Sequence, residues 1–544
     1  MHYGIGIDTG GTYTDAVLYD FIAHRIVATV KVPTTRHDVS IAVSRAVEKL
    51  LGSGGTAPDG IGLLAVSTTL ATNAIVEKKG ARVGLIVIGT VRQFSLPVAE
   101  TLFIKGGHTV IGNEDDPLDL EALVDSLGEI RNRVECYAVC AAMSMVNSTH
   151  ELVAEKAVGM IDPGKPVFCS HRACDDAGME ARAATVSLHA ALMPIMDHFI
   201  KGVERSMQAV GLHCPLAVIS GNGRIVTREE ALHKAAVTMA SGPASAAWFS
   251  ARHTHGDALV VDVGGTTTDV CMVRDSRPLL AAQGCRIKEW QTHIETVDMV
   301  TRGIGGDSLV ICTPAKVVEV MERRVQPLAM TAGLEGMGSW MSYEPQQRYL
   351  VMAAGEDDHG DELIGFLLEN GPVTPAELKG ISNRTGIALE KHLEWLAYKN
   401  RITMIGFTPT DALHVLGMLD IGNREEALRG AEMLARLLVG DKVTPESLSR
   451  MVLAETRRKI ERCIVEFATR RIWGEAAAVV ADRTENDLVT VSYSLKVPIV
   501  ALGAAARFFL PGVGERLGCE VIYPENFEVG SAVGAILAAG GGQS

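Results

Sequence analysis

The phrase that opens this chain returns in its middle. Gly6-Ile7-Asp8-Thr9-Gly10-Gly11-Thr12-Tyr13-Thr14-Asp15 reappears as Val261-Asp262-Val263-Gly264-Gly265-Thr266-Thr267-Thr268-Asp269-Val270. Each copy follows an apolar, β-branched run that reads as a strand. It then turns on a glycine pair whose bare backbone lets N–H groups approach an anion, and resumes as a second strand. The repeat predicts two halves of a duplicated fold that close on one phosphate chain from opposite sides. One aspartate per half is then placed to hold a metal or order a water. A single Asp-x-Gly-Gly-Thr is usually an ordinary hairpin, because Asp, Gly and Thr are common turn residues; two matched copies, each between strands and each followed by Thr-Asp, are not.

Other phosphate loops fit the sequence less well. No Gly-x-x-x-x-Gly-Lys-Ser/Thr is present, and neither glycine pair opens a helix as a dinucleotide fingerprint requires. At 544 residues the chain is too long for one core, and with 47% hydrophobic residues and 55 glycines it can bury large α/β layers. The net charge of −14, with no Lys/Arg block, speaks against a nucleic-acid partner, so an anionic substrate must be met locally.

The paired hairpins resemble the two phosphate motifs of the superfamily that includes actin, sugar kinases and heat-shock ATPases. Within it, residues 6–15, the run Ser67-Thr68-Thr69-Leu70-Ala71-Thr72-Asn73-Ala74-Ile75-Val76-Glu77, Val146-Asn147-Ser148-Thr149-His150-Glu151, Ser241-Gly242-Pro243-Ala244 and residues 262–270 look like the hydantoinase/oxoprolinase family in order and spacing. The resemblance is continuous to about residue 309, thin to about 490, and returns at the C-terminus. It implies an α/β chain with a duplicated actin-like (ribonuclease H-like) two-lobed ATPase fold and a mainly helical insertion. The implied divisions are a first lobe over 1–180, a second lobe with the second hairpin over 181–310, the insertion and the remainder of that lobe over 311–490, and a C-terminal segment over 491–544.

What the resemblance implies for chemistry is an ATP- and Mg²⁺-dependent enzyme. It would phosphorylate the carbonyl oxygen of a cyclic amide, imide or related compound, as a hydrolase or as a carboxylase subunit. A small-molecule kinase and a regulatory ATPase are the rivals. Asp8 and Asp262 are expected to coordinate Mg²⁺ or activate water, carboxylates being hard ligands for a hard ion. Gly10, Gly11, Thr12, Thr14, Gly264, Gly265, Thr266 and Thr267 are expected to cradle phosphates. Gly305, Gly306 and Asp307, within Thr301-Arg302-Gly303-Ile304-Gly305-Gly306-Asp307-Ser308, resemble the loop that passes near ribose or phosphates. Gly503 and Ala504 resemble the adenosine-binding turn. Gly530-Ser531-Ala532-Val533-Gly534-Ala535 resembles the small-residue helix that connects the lobes, and close helix packing explains those residues equally well. The family resemblance leaves open a second subunit of the hydantoinase B type or a homo-oligomer.

Thr68 and Thr69 sit at a strand-to-helix junction. Taken alone they read equally as a helix cap or as contacts to an anion or a carbonyl; the family favours substrate or γ-phosphate. Two departures from the family stand out. Val66-Ser67 replaces the usual His-Gly, which removes a proton-transfer group and predicts low activity on simple hydantoins and 5-oxoproline. Ser220-Gly221-Asn222-Gly223-Arg224 replaces an acidic Ser-Asp-Gly-Gly turn, which reads either as an anion-facing loop or as a solvated turn.

The chain starts on a strand, without a charged leader or a long apolar segment, so a cytoplasmic protein with no membrane span is expected. Ten cysteines without a Cys-x-x-Cys pair read as reduced thiols. Cys169, His171, Cys174, Asp175 and Asp176 tempt a metal reading, but the spacing is wrong for a zinc knuckle, and the segment reads as a loop entering a long helix. Alternation predicts strands at 26–32, 63–67, 83–88 and 134–141 and helices at 39–51, 69–79 and 150–160. A helix over 181–210 is expected to be kinked or interrupted by Pro194, and a strand at 216–220 to open the second half. Helix starts are expected at Pro375 and near Pro409, and a long helix at 448–473 with its basic side solvated.

Overall fold

The structure is a computed structural model. It describes the chain apart from residues 1, 36–37, 77–79, 91, 174, 176, 283, 288–289, 335–337, 359, 439–442, 483–489 and 541–544.

Two sheets are built to one plan. The first has the order β10-β9-β4-β1-β2-β3, from β1 (Tyr3–Thr9), β2 (Tyr13–Asp20), β3 (Arg25–Pro33), β4 (Ile61–Thr68), β9 (Leu216–Ile219) and β10 (Ile225–Val226). The second runs β13-β12-β11-β22-β23, from β11 (Ala258–Val263), β12 (Thr268–Arg274), β13 (Arg277–Pro278), β22 (Ile499–Leu502) and β23 (Val521–Ile522). In each, the first strand pairs antiparallel with the second and parallel with a later one, which itself gains a parallel neighbour. A further strand, β16 (Met299–Arg302), pairs with β12, and β14 (Arg286–Ile287) and β15 (Trp290–Gln291) form a short ribbon.

The strand expected to open the second half instead completes the first sheet. β9 runs parallel to β4 with Leu64 opposite Leu216 and Val66 opposite Val218. Its apolar residues identify a strand but not its neighbour; Val218 and Ile219 are buried in the clusters on opposite faces of this sheet.

Between β4 and β9 sits an inserted parallel sheet, β6-β5-β7-β8, made of β5 (Val83–Ile88), β6 (Glu100–Ile104), β7 (Cys136–Ala141) and β8 (Val167–Cys169). Every residue of β5 and β7 is buried, as a sheet covered on both faces requires. α3 (Leu120–Ile130) and α4 (Thr149–Ile161) pack together on one side. α5 (Met179–Ala209) covers β5 and β7 and also packs on α1 (Val39–Gly54). Pro194 lies inside α5 without ending it. By length and composition α5 could cross a bilayer, but 72% of that stretch is buried, so it reads as a core helix.

In the second lobe, β17 (Ser308–Cys312) pairs with β18 (Val318–Arg324), and β19 (Gln326–Pro327), β20 (Leu350–Ala353) and β21 (Ile402–Gly406) form a small sheet. The rest of the insertion is helical: α8 (Glu362–Asn370), α9 (Pro375–Ile381), α10 (Gly386–Tyr398), α11 (Pro409–Val415), α12 (Arg424–Leu437), α13 (Pro445–Trp473) and α14 (Ala477–Asp482). Thr374 and Thr408 cap α9 and α11 through capping boxes with Glu377 and Asp411, as their sequences demand. The basic residues of α13 are not simply solvated. Lys459 donates to the Val320 carbonyl at 2.6 Å, Arg457 to that of Phe508 at 2.9 Å, and Arg470 pairs with Asp298 at 2.5 Å, docking the helix onto the second lobe.

Two helices join the lobes. α16 (Gly530–Gly540) packs on β1, β2 and β4, and α7 (Ser241–Ala251) packs on β11, β12 and β13; the two also pack on each other. Their small residues are required by distance: a Cβ on Gly534 would lie 1.8 Å from the Ser245 carbonyl oxygen, and one on Gly6 would lie 2.2 Å from that of Ala532. One hydrophobic cluster therefore runs from Val17 and Ala65 through Phe249 and Ile536 to Val260 and Val273. α2 (Leu70–Val76), α6 (Arg228–His233) and α15 (Ala506–Leu517) complete the helices described.

Candidate functional site: two facing hairpins

The two repeated phrases fold identically. In the first, Asp8 stands opposite Asp15 and the Gly10 N–H closes the turn on the Tyr13 carbonyl at 3.0 Å. In the second, Asp262 stands opposite Asp269 and the Gly264 N–H closes on the Thr267 carbonyl at 3.0 Å. The tips meet. Thr12 and Thr266, at the same position of the two phrases and 254 residues apart, bring their hydroxyls within 2.5 Å.

Each hairpin has its own support. Thr34 on the first side donates to the Gly10 carbonyl at 2.9 Å and shares a hydrogen bond with Thr14 at 3.0 Å, so the Thr14 hydroxyl serves the hairpin itself. On the second side, the N–H groups of Gly306 and Asp307 donate to the carbonyls of Gly264 (3.1 Å) and Gly265 (2.7 Å). A Cβ on Gly305 would fall 2.5 Å from both carbonyl oxygens, which explains the glycine. Thr410, at the start of α11, donates its N–H and its hydroxyl to the Gly306 carbonyl, at 2.9 and 2.8 Å. Arg324 reaches Asp307 at 3.3 Å. The Gly503 turn follows β22 with φ +82°, and a Cβ there would lie 2.4 Å from Asp262 Oδ1, so the expected adenosine turn adjoins the second aspartate. Ala504 is exposed.

The aspartates form one electrostatic unit. Desolvation raises Asp8 to about 7, helped by Asp15 and Asp262 and opposed by the Ser67 hydroxyl, which donates to Asp8 at 2.6 Å. Desolvation also raises Asp262 to about 7 and Asp269 to about 6; Asp269 adds to the rise at Asp262. Ser531 donates to Asp262 at 3.3 Å from the first turn of α16. Carboxylates crowded together with too little positive charge suit a hard dication.

The junction after β4 divides in two. Thr68 is fully buried, and its hydroxyl oxygen accepts the Leu70 N–H at 3.0 Å, capping α2. Ser241 Oγ accepts the Thr68 N–H and donates to its carbonyl, tying α7 to the same strand end. Thr69 donates to the Thr9 carbonyl at 3.2 Å and accepts from Asn73 at 3.2 Å, beside the first hairpin. A Cβ on Gly242 would lie 3.3 Å from Thr69 and 3.4 Å from Asp8, so the start of α7 reaches the same place. Where the family has His-Gly, Val66 lies in the core and Ser67 holds Asp8.

Three other sequence features resolve differently. Asn222 and Arg224 both reach Glu295, at 2.9 and 3.3 Å, on the exposed surface. Cys169 and His171 converge on Glu151, the three donor atoms lying within 4.8 Å of one another. Glu151 already accepts from the Ala141 N–H, the Ser170 hydroxyl, the His171 N–H and His171 Nδ1, which fills its carboxylate and makes it a knot tying α4 to the ends of β7 and β8. Cys174 and Asp176, and Glu77 of the α2 run, lie outside the described residues. Nothing in the sequence marks out Lys31, which binds Asp15 at 2.6 Å, or Thr34 and Arg324, and the motifs that hold Ser241 and Thr410 do not show their roles. A lysine on a strand, or a serine before a helix, carries no mark of its partner until the register is known.

Comparisons with known proteins identify the family and the fold. The hydantoinase/oxoprolinase N-terminal region matches residues 4–161, and the hydantoinase/oxoprolinase domain matches residues 182–540. Caprolactamase subunit alpha of Pseudomonas jessenii is 27% identical over 344 residues, covering 57% of this chain and 49% of that one. The acetophenone carboxylase gamma subunit of Aromatoleum aromaticum is 27% identical over 352 residues, covering 56% and 47%. This chain therefore spans about half the length of the curated relatives it matches. Among solved structures, nucleotide-free acetone carboxylase superposes with a TM-score of 0.70 at 17% identity over 98% of this chain and 70% of that one. The ATP-dependent caprolactamase of Pseudomonas jessenii superposes with 0.60 at 19% identity over 98% and 71%. The fold is the duplicated actin-like, two-lobed α/β ATPase fold, and the chain belongs to the hydantoinase/oxoprolinase family.

Proposed function

We propose that this chain binds ATP with Mg²⁺ between the two hairpins and uses the γ-phosphoryl group to activate the carbonyl of a cyclic amide, imide or related compound. The observation that carries this reading is the meeting of two identical Asp-Gly-Gly-Thr hairpins at Thr12 and Thr266. Backbone N–H groups of Gly11 and Gly265, with the hydroxyls of Thr12, Thr266 and Thr267, would line the space where phosphates enter; Gly10 and Gly264 use their N–H groups to close the turns and contribute a bare backbone there, while Thr14 braces the first hairpin from behind. Asp8 and Asp262 would hold Mg²⁺, which supplies charge neutralisation for the phosphates. The loop of Gly305, Gly306 and Asp307 and the turn of Gly503 and Ala504 would border the nucleoside. Thr69 faces the substrate side, with Thr68 as its buried anchor.

The substrate carbonyl oxygen attacks the γ-phosphorus as the bond to the ADP oxygen breaks. Water then adds to the carbonyl carbon and the C–N bond opens, the nitrogen taking a proton and the carbon remaining as an acyl phosphate; a second water hydrolyses that acyl phosphate, so the products are the ring-opened amine and carboxylate, ADP and phosphate. The carboxylase relatives favour a second reading, in which the phosphorylated intermediate is an enol whose carbon bonds to CO₂ as the enol oxygen returns to a carbonyl and its phosphoryl group passes to water as phosphate. Because the relatives are named as subunits, a second subunit is part of the proposal. The test is ATP turnover with a panel of lactams, imides and ketones, with and without bicarbonate and candidate partner subunits. Ring-opened product stoichiometric with ADP supports the hydrolase, and labelled carboxylate the carboxylase. A stable phosphorylated product, or ATP turnover stimulated by a partner without any small substrate, would replace this reading with the kinase or the regulatory ATPase. Simple hydantoins and 5-oxoproline are expected to be poor substrates, given Val66-Ser67.

A further inference from the structure

We propose that Lys31 is a positioning residue of the phosphate site, a cation held on the second aspartate of the first hairpin where the equivalent aspartate of the second hairpin faces a hydroxyl; this rests on the ATP reading above. The hairpins are copies, so the strands beside them can be compared position by position. On the first side, Asp15 of β2 stands opposite Lys31 of β3. On the second, Asp269 of β12 stands opposite Thr301 of β16. The duplication thus places an ammonium and a hydroxyl at equivalent positions.

The consequences are local and measurable. Lys31 Nζ reaches both oxygens of Asp15, at 2.6 and 2.9 Å, whereas Asp269 has the Thr267 hydroxyl at 3.3 Å and the side chain of Thr301. Lys31 also lies over the Tyr13 ring at the hairpin tip, 5.3 Å from its centroid. Its side chain is 33% exposed, so the charge sits at the cleft surface rather than sealed within the sheet. In the register of β1, β2 and β3, Asp8, Asp15 and Lys31 stand side by side, so the lysine is set across one intervening strand from the leading aspartate of its hairpin.

A structural ion pair explains the contact with Asp15. It does not explain a cation held over the ring of a hairpin-tip residue and aligned across the sheet with Asp8. A phosphate chain entering between the tips adds negative charge to a place already lined by four carboxylates. A fixed ammonium, held by Asp15 and the tyrosine ring, offsets that charge without rearrangement at the moment of transfer. A lysine supplies this as a compact point charge.

The test compares Lys31→Met, Lys31→Arg and Lys31→Met/Asp15→Asn with the wild type for Mg²⁺-ATP turnover, ADP affinity and Tm. In Lys31→Met, kcat is expected to fall by about tenfold or more while ADP affinity stays within about threefold. Lys31→Arg should recover most of the loss. The double variant, which leaves no carboxylate unpaired at this position, should regain the wild-type Tm but not kcat. Unchanged turnover in Lys31→Met would overturn the proposal. So would recovery of kcat together with Tm in the double variant, which would reduce Lys31 to support of the fold. A wild type that neither binds nor hydrolyses ATP would instead bring down the ATP reading on which this one stands.

Discussion

The two hairpins share sequence, register and turn, yet differ in how they carry charge. The first has Lys31 on Asp15 and a 2.6 Å hydrogen bond from Ser67 to Asp8. Among the described residues the second has hydroxyls on its two aspartates, from Thr267 and Thr301 to Asp269 and a longer 3.3 Å contact from Ser531 to Asp262. Two like cradles are made unequal by the residues on their neighbouring strands, Lys31 on one side and Thr301 on the other. The second side is therefore the one that most needs an added cation, and the aspartate there should be the more sensitive.

Substitution should rank accordingly. Asp262→Asn is expected to give the largest effect, a loss of turnover of about a hundredfold or more, because it removes one charge from the less compensated hairpin. Its Tm should hold or rise, since a desolvated carboxylate becomes a neutral amide. Asp8→Asn, beside Ser67 and within reach of Lys31, should cost about tenfold less than Asp262→Asn in the same steady-state assay. Equal losses would erase the asymmetry.

The contact between the hairpins offers the next test. Thr12→Val and Thr266→Val should each lower turnover by about tenfold, and the double variant by little more than either alone, because the two hydroxyls act as one pair. Additive losses would mean that the tips work independently.

Proton competition sharpens the electrostatic side. Asp8 and Asp262 are raised to about 7, so the folded state binds more protons than the unfolded chain between the ordinary carboxylate range and about 7. Stability contributed by these groups is present at low pH and falls as pH rises through that window. Mg²⁺ must displace those protons, so Mg²⁺-dependent nucleotide affinity should strengthen between about pH 6 and pH 8. A flat affinity over that range would contradict the placement of the metal. The smallest effect is expected at the altered turn: Arg224→Ala removes an exposed contact to Glu295 and should leave turnover within about twofold.

Much of this site was legible in the chain because its chemistry is written locally. The glycine pairs, the strands before them and the capping residues Thr374 and Thr408 each specify their own backbone. The loop at Gly305 and Gly306 was read from position, and it does clasp the second hairpin. What the sequence hid was partnership. Lys31 and Thr301 look like unrelated strand residues until the registers of β2–β3 and β12–β16 align them. The strand at β9 carried the right pattern but no indication that it would return to the first sheet, because alternation encodes a buried face and not a neighbour. Cys169 and His171 were noticed through their spacing, whereas Glu151, which gathers them, lies on another helix.

The most direct measurement is calorimetric titration of the folded wild type and of Asp262→Asn with ATP and ADP, each with and without Mg²⁺. Stoichiometric binding to the wild type that tightens with Mg²⁺, and that loses most of this Mg²⁺ dependence in Asp262→Asn, is the expected result. Absence of ATP and ADP binding to the folded wild type, or Mg²⁺ dependence unchanged in Asp262→Asn, would contradict it.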